Sequence, residues 1–553
     1  MEETTVSWIK KRFAELKERR DPWERTWKLI AEYVCPFRET QFMEVRQGEK
    51  VGTKVYNGTA IIAVDTLVNG FLGHVVSPSI PWFDLVYEDQ ELQANERAGV
   101  YLEDLKDHFY SLIRRSNFYS ATRDYTWDAA TTATATLFQV RDMVYGRYNF
   151  QVMHPMEVYV GRDYFGNVDT IFRKYKMSLK NLSVEFGKEK MSKNLQERLK
   201  TSPLEEVEII HAIYPNSKAA WGELPRLGPS KVWKSVYIEA ESEDDQQPLS
   251  DSGFDRFPGR TWCWERSIRD DYGRSPAYKA LYDIIPLNKL GKDMLDRSQM
   301  EVNPPFRAPW ENRGRIKLVP GGPNYYKNYA QEHIEFIQYP TQYNIGRDRE
   351  EVIEARIDEH FMKSFFLLLA SSEKPMTATE ILEKAAEKAV VIGPVCARLE
   401  SDCLDPMLEE MFEAEYEQGT LPPPPPEIED MGGARIKVEY IGPLAQIQRR
   451  AFKANGIMAS LEALAPVVQV SPEALDKVDF DVVAEEIMNA NGMPKRAMRD
   501  DDAVAKIRAA RQKKIAEQEA LAKAQVAADA APKLSKKPEP GSPMEQLAQA
   551  GMI

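Results

Sequence analysis

Apolar positions recur along this chain at two different periods, and the change between them divides it. Over residues 6–36, Ile9, Phe13 and Leu16 share one helical face, then Trp23, Trp27, Ile30 and Val34 keep helical spacing. Asp21 reads as a cap and Pro22 as a first helical position, so two short helices are predicted, the second stopped by Pro36. Further helices are predicted over about residues 59–72 and 94–116; the first exits through the proline-broken, extended "SPSIPWFDL". The small residues of "YTWDAATTATATLFQV" suit close packing against a neighbouring element. From residue 150 to about 265 the period shortens to two. "QVMHPMEVYVG", "VDTIFRKY", "VEIIHAIY" and "KVWKSVYIEA" read as strands, with turn signals such as "YFGN" and "DSG" between them. The fold class is α+β.

"DYGRSPAYKALYDIIPLNKL" opens the second half. Gly273 permits a close approach, Ser275 can cap a helix, and Pro276 fits its first position. Then come "NPPFRAPW", strand-like "RIKLVP", the turn "GGPN", strand-like "HIEFIQY", a helix over about 347–369, and the break "ASSEKPM". Thr377 and Glu380 have capping-box spacing. Beyond them Cys396, Leu399, Cys403, Met407 and Met411 keep one apolar stripe up to Gly419, with Pro394 and Pro406 predicting a kink or break. "LPPPPPEIEDMGG" is a stiff connector to the strand "ARIKVEYIG", followed by short helices to about residue 492. Asp500 to Asp502 open an Ala-, Lys- and Gln-rich helix to about 528, and the remainder reads as disordered tail.

Composition narrows the function classes. A chain of 553 residues exceeds what one core usually supports. Its net charge of −13 opposes a general basic grip on nucleic acid, so any DNA contact should be local or loose. The scattered Cys35, Cys263, Cys396 and Cys403 form neither a disulfide framework nor a zinc spacing, and the acidic start is unlike a secretory leader. An intracellular, soluble, reduced protein is expected, with no membrane span. No phosphate-cradling glycine motif and no nucleophile elbow occurs. Asp358, Glu359 and His360 are adjacent on a predicted helix and point in different directions, so they read as a solvated face. No catalytic residue, metal site or cofactor is predicted.

The ordered set "RRDPWERTWKLIAEYVCP", "GFLGHVVSPSIPWFDL", "FGNVDTIFR", "DYGRSPAYKALYDIIPLNKL", "MTATEILEKAAEKAVVIGPVCARLESDCLDPMLEEMFE", "GTLPPPPPE" and "EYIGPLAQIQRRA" resembles the head-to-tail connector, or portal, proteins of short-tailed bacteriophages, from about residue 10 to about 465. The resemblance implies a portal fold: an N-terminal α/β wing over 1–275, a first stem helix over 276–301, a β-containing clip over 302–346 and a second stem helix over 347–370. A tunnel loop over 371–376, a wing spine helix and strand over 377–440, a helical crown over 441–500, a C-terminal barrel helix over 501–530 and a tail over 531–553 would follow. It further implies a ring of twelve copies at one capsid vertex of the virion, assembled in the host cytoplasm. Its partners would be terminase, a tail adaptor, the major capsid and scaffolding proteins, and double-stranded DNA held only transiently.

The local pattern agrees with such a path, since helix, hairpin and returning helix send the chain out and back; a 23-residue return spans roughly 35 Å. Ser371, Ser372, Glu373 and Lys374 would form the loop facing DNA, with Lys374 either brushing phosphates or pairing with Glu373. Arg313, Arg315, Lys317, Tyr325, Tyr326 and Lys327 would form the clip docking surface. The mixed charges of the return helix suit either salt bridges between subunits or a solvated face. The competing readings are a metal-dependent phage nuclease, which needs converging carboxylates, and another virion structural protein.

Overall fold

The computed structural model describes residues 4–38, 52–216, 231–310, 343–370, 390–426, 435–445, 478–490 and 504–518, apart from short gaps within them, together with isolated residues of 313–337 and residues 460, 464 and 520. In chain order its elements begin with α1 (Thr5–Tyr33), α2 (Thr59–Val75), β1 (Phe83–Tyr87), α3 (Glu96–Arg115) and α4 (Phe118–Thr132). β2 (Thr134–Asp142), β3 (Arg147–Met153), β4 (Val158–Arg162) and β5 (Val168–Ser178) follow, then the short α5 (Leu179–Glu185) and α6 (Lys193–Thr201). β6 (Glu206–Pro215), β7 (Trp233–Glu239), β8 (Ser250–Phe254) and β9 (Gly259–Cys263) complete the sheet-bearing half.

β4 to β8 form one antiparallel five-stranded sheet in sequence order, and β3, β2 and β9 form a second sheet in that order. Period-two alternation decides what each face buries. Ile210 of β6, with Phe172 and Val236, packs on Val6, Ile9 and Leu16 of α1. Its neighbour Ile209 points the other way and packs on Leu179, Leu182 and Leu195 of α5 and α6. The main core gathers Trp27, Phe71, Trp82, Trp127 and Trp262 beneath α2, α4 and the three-stranded sheet. Trp262 stacks on Phe71 with ring centroids 5.7 Å apart.

Several expectations need correction. Where two helices were expected over residues 6–36, Thr5–Tyr33 form one continuous helix with Pro22 inside it. Pro22 removes one helical hydrogen bond, but Arg20 pins the flanking turns: it donates to the Pro155 and Val158 carbonyls, pairs with Glu24, and lies 3.5 Å from the Tyr159 ring centre. "DSG" is not a turn but part of β8, where a Cβ on Gly253 would come 2.4 Å from the Trp233 carbonyl oxygen. "YFGN" does turn, with Gly166 at φ +88°.

The chain continues with α7 (Pro276–Val302), the ribbon β10 (Phe306–Arg307) and β11 (Glu335–Phe336), α8 (Tyr343–His360) and α9 (Lys363–Ala370). The expected single return helix is therefore broken. Met362 sits at φ +52°, an uncommon conformation for a side-chain-bearing residue, and the bend turns Phe361, Phe365 and Phe366 into the core. Phe366 fills the space above Gly70, where a Cβ would lie 2.4 Å from its ring. α10 (residues 390–399) runs through Pro394 without the predicted break. A π-helical turn, Glu400–Leu404, precedes α11 (Asp405–Glu417) and takes up the irregularity at Pro406. β12 (Ile436–Tyr440) pairs antiparallel with β1, α12 spans Phe480–Ala490, and α13 (residues 504–518) is exposed along nearly its whole length. The capping box at Thr377 and Glu380, most of the expected crown, and the tail lie outside the described residues. "RIKLVP" does so in part, and its described Ile316 and Lys317 are not in a strand.

The five-stranded sheet carries a pH liability. His211 on β6 is buried, hydrogen-bonded to Ser235 Oγ at 2.9 Å and stacked on Tyr237 at 3.8 Å; burial, helped by the Arg173 charge, pushes its pKa down to about 3. The unfolded chain takes up this proton below its ordinary value, so the contribution is complete above that value and is lost as pH falls toward about 3. Between pH 7 and 5 thermal melts should show a loss of about 2 kcal/mol, reduced in a His211→Gln variant.

Candidate functional site: an arm of two helices and a ribbon

The arm begins at the "GRSP" junction, which behaves as its residues predict. Ser275 Oγ accepts from the Tyr278 N–H at 2.9 Å and donates to the Thr131 carbonyl at 2.6 Å, while Pro276 occupies the first turn. The Gly273 N–H donates to Thr134 Oγ1 at 3.1 Å, and a Cβ there would meet the Glu265 carbonyl oxygen at 2.7 Å. The direction of α7 is thus set by close backbone packing against the α4–β2 corner.

The base of α7 buries Ala277, Ala280, Leu281, Ile284 and Leu287, and α8 returns beside it with Ile353 and Ile357 buried. Asp283 lies 3.8 Å from Arg356 and 3.5 Å from His360, while Gly346 faces Met294, so the two helices run antiparallel. Each exposed pair is worth at most about 1 kcal/mol. A buried amide relay does more to fix them. Asn288 accepts from the backbone N–H groups of Tyr56 and Asn57 at 2.8 and 3.0 Å, and Asn57 donates to Glu350 and Glu354 of α8. Sequence reasoning missed Asn288 and Asn57. The available signal was an amide one helical turn after Ile284, on an otherwise apolar face. Part of the return helix's charge is thereby used within the chain.

Beyond Asn288 the arm leaves the core. Leu295, Met300 and Val302 are exposed, and the ribbon carries Phe306 against Phe336 at 6.3 Å between ring centres. Of the expected docking residues, Arg313, Lys317 and Tyr325 are described. Arg313 lies 4.8 Å from the ring centre of Trp310, which is 75% exposed. Lys317 exchanges both backbone hydrogen bonds with the Asn324 side chain at 2.8 and 3.1 Å, beside Tyr325, 87% exposed. Arg315, Tyr326 and Lys327 lie outside the described residues, as do Ser371, Ser372, Glu373 and Lys374 of the expected tunnel loop.

Chemistry is scarce elsewhere. Among the described residues no three His, Cys, Asp or Glu side chains come together as a metal site, and no helix is long and apolar enough to cross a membrane. None of the four cysteines is in a disulfide, and all four are buried. Burial pushes the Cys396 and Cys403 thiols up to about 12, which leaves little thiolate at neutral pH.

The arm thus carries exposed rings and cations away from a packed core. A family model described as "Bacteriophage head to tail connecting protein" matches residues 7–498, and the chain belongs to that family. The "Probable portal protein" of Bordetella phage BPP-1 is 30% identical over 531 residues, 94% of each chain. The "Portal protein" of Salmonella phage epsilon15 is 26% identical over 548 residues, covering 97% of this chain and 96% of that one.

Proposed function

We propose that twelve copies of this chain close into the portal ring at one vertex of a phage head. The duplex passes through the ring's channel during packaging and ejection. The distal arm, residues 302–346, receives terminase and later a tail adaptor, α7 and α8 form the stem, and residues 371–376 face the DNA. The observation that carries this reading is the arm itself: its apolar and aromatic side chains are exposed at the far end and buried at the base, as expected of a surface awaiting partners. An acidic chain suits the task, because few cations on the channel wall keep counterion-release affinity low and let DNA slide. The exposed α13, tied to α12 by the Arg508–Asp481 pair, would pack against its copies in neighbouring subunits.

The test is imaging of the purified protein. Twelve chains of 63.3 kDa should sediment near about 760 kDa and show a central hole in negative stain. A lone subunit under all assembly conditions, absent from the virion vertex, would defeat the proposal.

A further inference from the structure

A ring built head to tail needs two different surfaces on each subunit, one complementary to the other and set apart across the molecule. The described residues hold such a pair. The first is a rigid aromatic knob at the β4–β5 turn. Tyr164 is 98% exposed and Phe165 84%, their rings edge to face at 5.6 Å, and Ile268 on the adjoining loop is 91% exposed. These side chains stand on a braced turn. The Asp163 N–H donates to the Asn167 carbonyl at 2.9 Å and the Asn167 N–H to Asp163 Oδ1 at 2.8 Å. Arg162 donates to the carbonyls of Gly166 and Asp271 and to Cys263 Sγ. Arg266 donates to those of Ser267, Ile268 and Asp270. Both guanidinium groups are turned to the backbone, and the rings are what the turn presents. A monomer gains nothing from ordering two bare aromatic side chains in water.

The second surface is a cleft of about 420 Å³ along α3, lined by Pro81, Lys106, Tyr110, Ser111, Arg114 and Arg115 together with Asp107. Lys106 is paired with Asp84 at 3.0 Å. Arg114 and Arg115 are exposed, and neither has a carboxylate within ion-pair distance among the described residues. Arg114 already lies over the Tyr110 ring, 5.9 Å from its centre, and it and Arg115 offer guanidinium charge that matches the negative faces of further aromatic rings.

The two surfaces lie toward opposite ends of one strand. Thr134, at the start of β2, pairs with Cys263, whose sulfur accepts from Arg162 under the knob. Arg141, toward the other end of β2, pairs with Glu415 at 2.8 Å, and Glu415 also meets His108 of α3, beside the cleft. The seven residue steps from Thr134 to Arg141 span about 23 Å of strand.

We infer that the Tyr164–Phe165 knob of one subunit seats in the Arg114–Arg115 cleft of the next copy, as a repeated contact between wings. This rests on the ring reading and names one of its interfaces. The test is a chain carrying both Phe165→Cys and Ser111→Cys; the four native cysteines are buried and do not compete. Oxidised rings should give a ladder of covalent oligomers on a non-reducing gel, which either single cysteine does not. Closed rings in negative stain with only monomer on the gel would overturn the contact while leaving the ring intact. Absence of rings from the unmodified chain would remove the ring reading and the contact with it. Capture of Phe165→Cys by a capsid or tail component instead of a second copy would also overturn it. Independently, Phe165→Ala and Arg115→Ala should each weaken ring association roughly tenfold per contact, and the double variant should be little worse than either. Fully additive effects would count against the pairing.

Discussion

Replacing residues 303–342 with a short flexible linker is expected to leave rings that assemble and stain normally but fill heads with at least about a hundredfold less DNA. The fold tolerates the excision because what holds the arm lies at its base. α7 and α8 are joined there by Ile284, Leu287, Ile353 and Ile357 and by the Asn288–Asn57–Glu354 relay, and their ends at Val302 and Tyr343 belong to antiparallel neighbours. The excised part has little to lose on unfolding, since Trp310 and Tyr325 are mostly in water. Loss of packaging therefore reports the missing docking surface, not a collapsed subunit. DNA content is read by gel or by nuclease protection in an infected-cell complementation assay, with rings counted by microscopy. Wild-type filling by the excised chain would remove terminase docking from the arm.

Local chemistry was legible where a few neighbouring residues decide the outcome. Gly273, Ser275 and Pro276 specify a close approach, a cap and a helix start within four positions, and no distant residue competes with them. The α+β half was read for the same reason, since alternation in "VEIIHAIY" reflects two faces that are both covered. What was misread depends on partners far along the chain. Pro22 looks like a helix start until Arg20 is seen to donate to carbonyls more than a hundred residues away. The bend at Met362 follows from the aromatic space over Gly70, and nothing in "DEHFMKSFF" announces it. Asn288 reads as a polar interruption, yet it accepts from backbone 231 and 232 residues earlier. The knob was visible only as a turn, because solvent exposure belongs to the folded surface. The docking residues came from the resemblance to portal proteins; the described ones, Arg313, Lys317 and Tyr325, are exposed, and exposure alone says nothing of a partner.

The same junction that aims the arm should tolerate an added side chain poorly. In Gly273→Val the new Cβ would fall 2.7 Å from the Glu265 carbonyl oxygen and 3.2 Å from both the Cβ and the carbonyl oxygen of Ala133. None of these can swing aside: the Glu265 carbonyl is held by the Arg274 N–H at 2.7 Å, and Ala133 accepts from Trp264 at 2.9 Å. Overpacking against flexible side chains usually costs about 1–3 kcal/mol. Against pinned backbone, with a branched Cβ added, a loss of about 3 kcal/mol or more is expected, a large part of the 5–15 kcal/mol typical of a folded domain. The melting temperature should fall steeply, and because the clash pushes α7 off the α4–β2 corner, the surviving folded chain should lose its ability to close rings. Gly73→Ala on α2 is the control, since nothing lies within 4 Å of a Cβ there and helix propensity favours alanine by about 1 kcal/mol. A Gly273→Val chain that melts like the parent would mean the junction can yield, and that the arm takes its direction from the Asn288 relay instead.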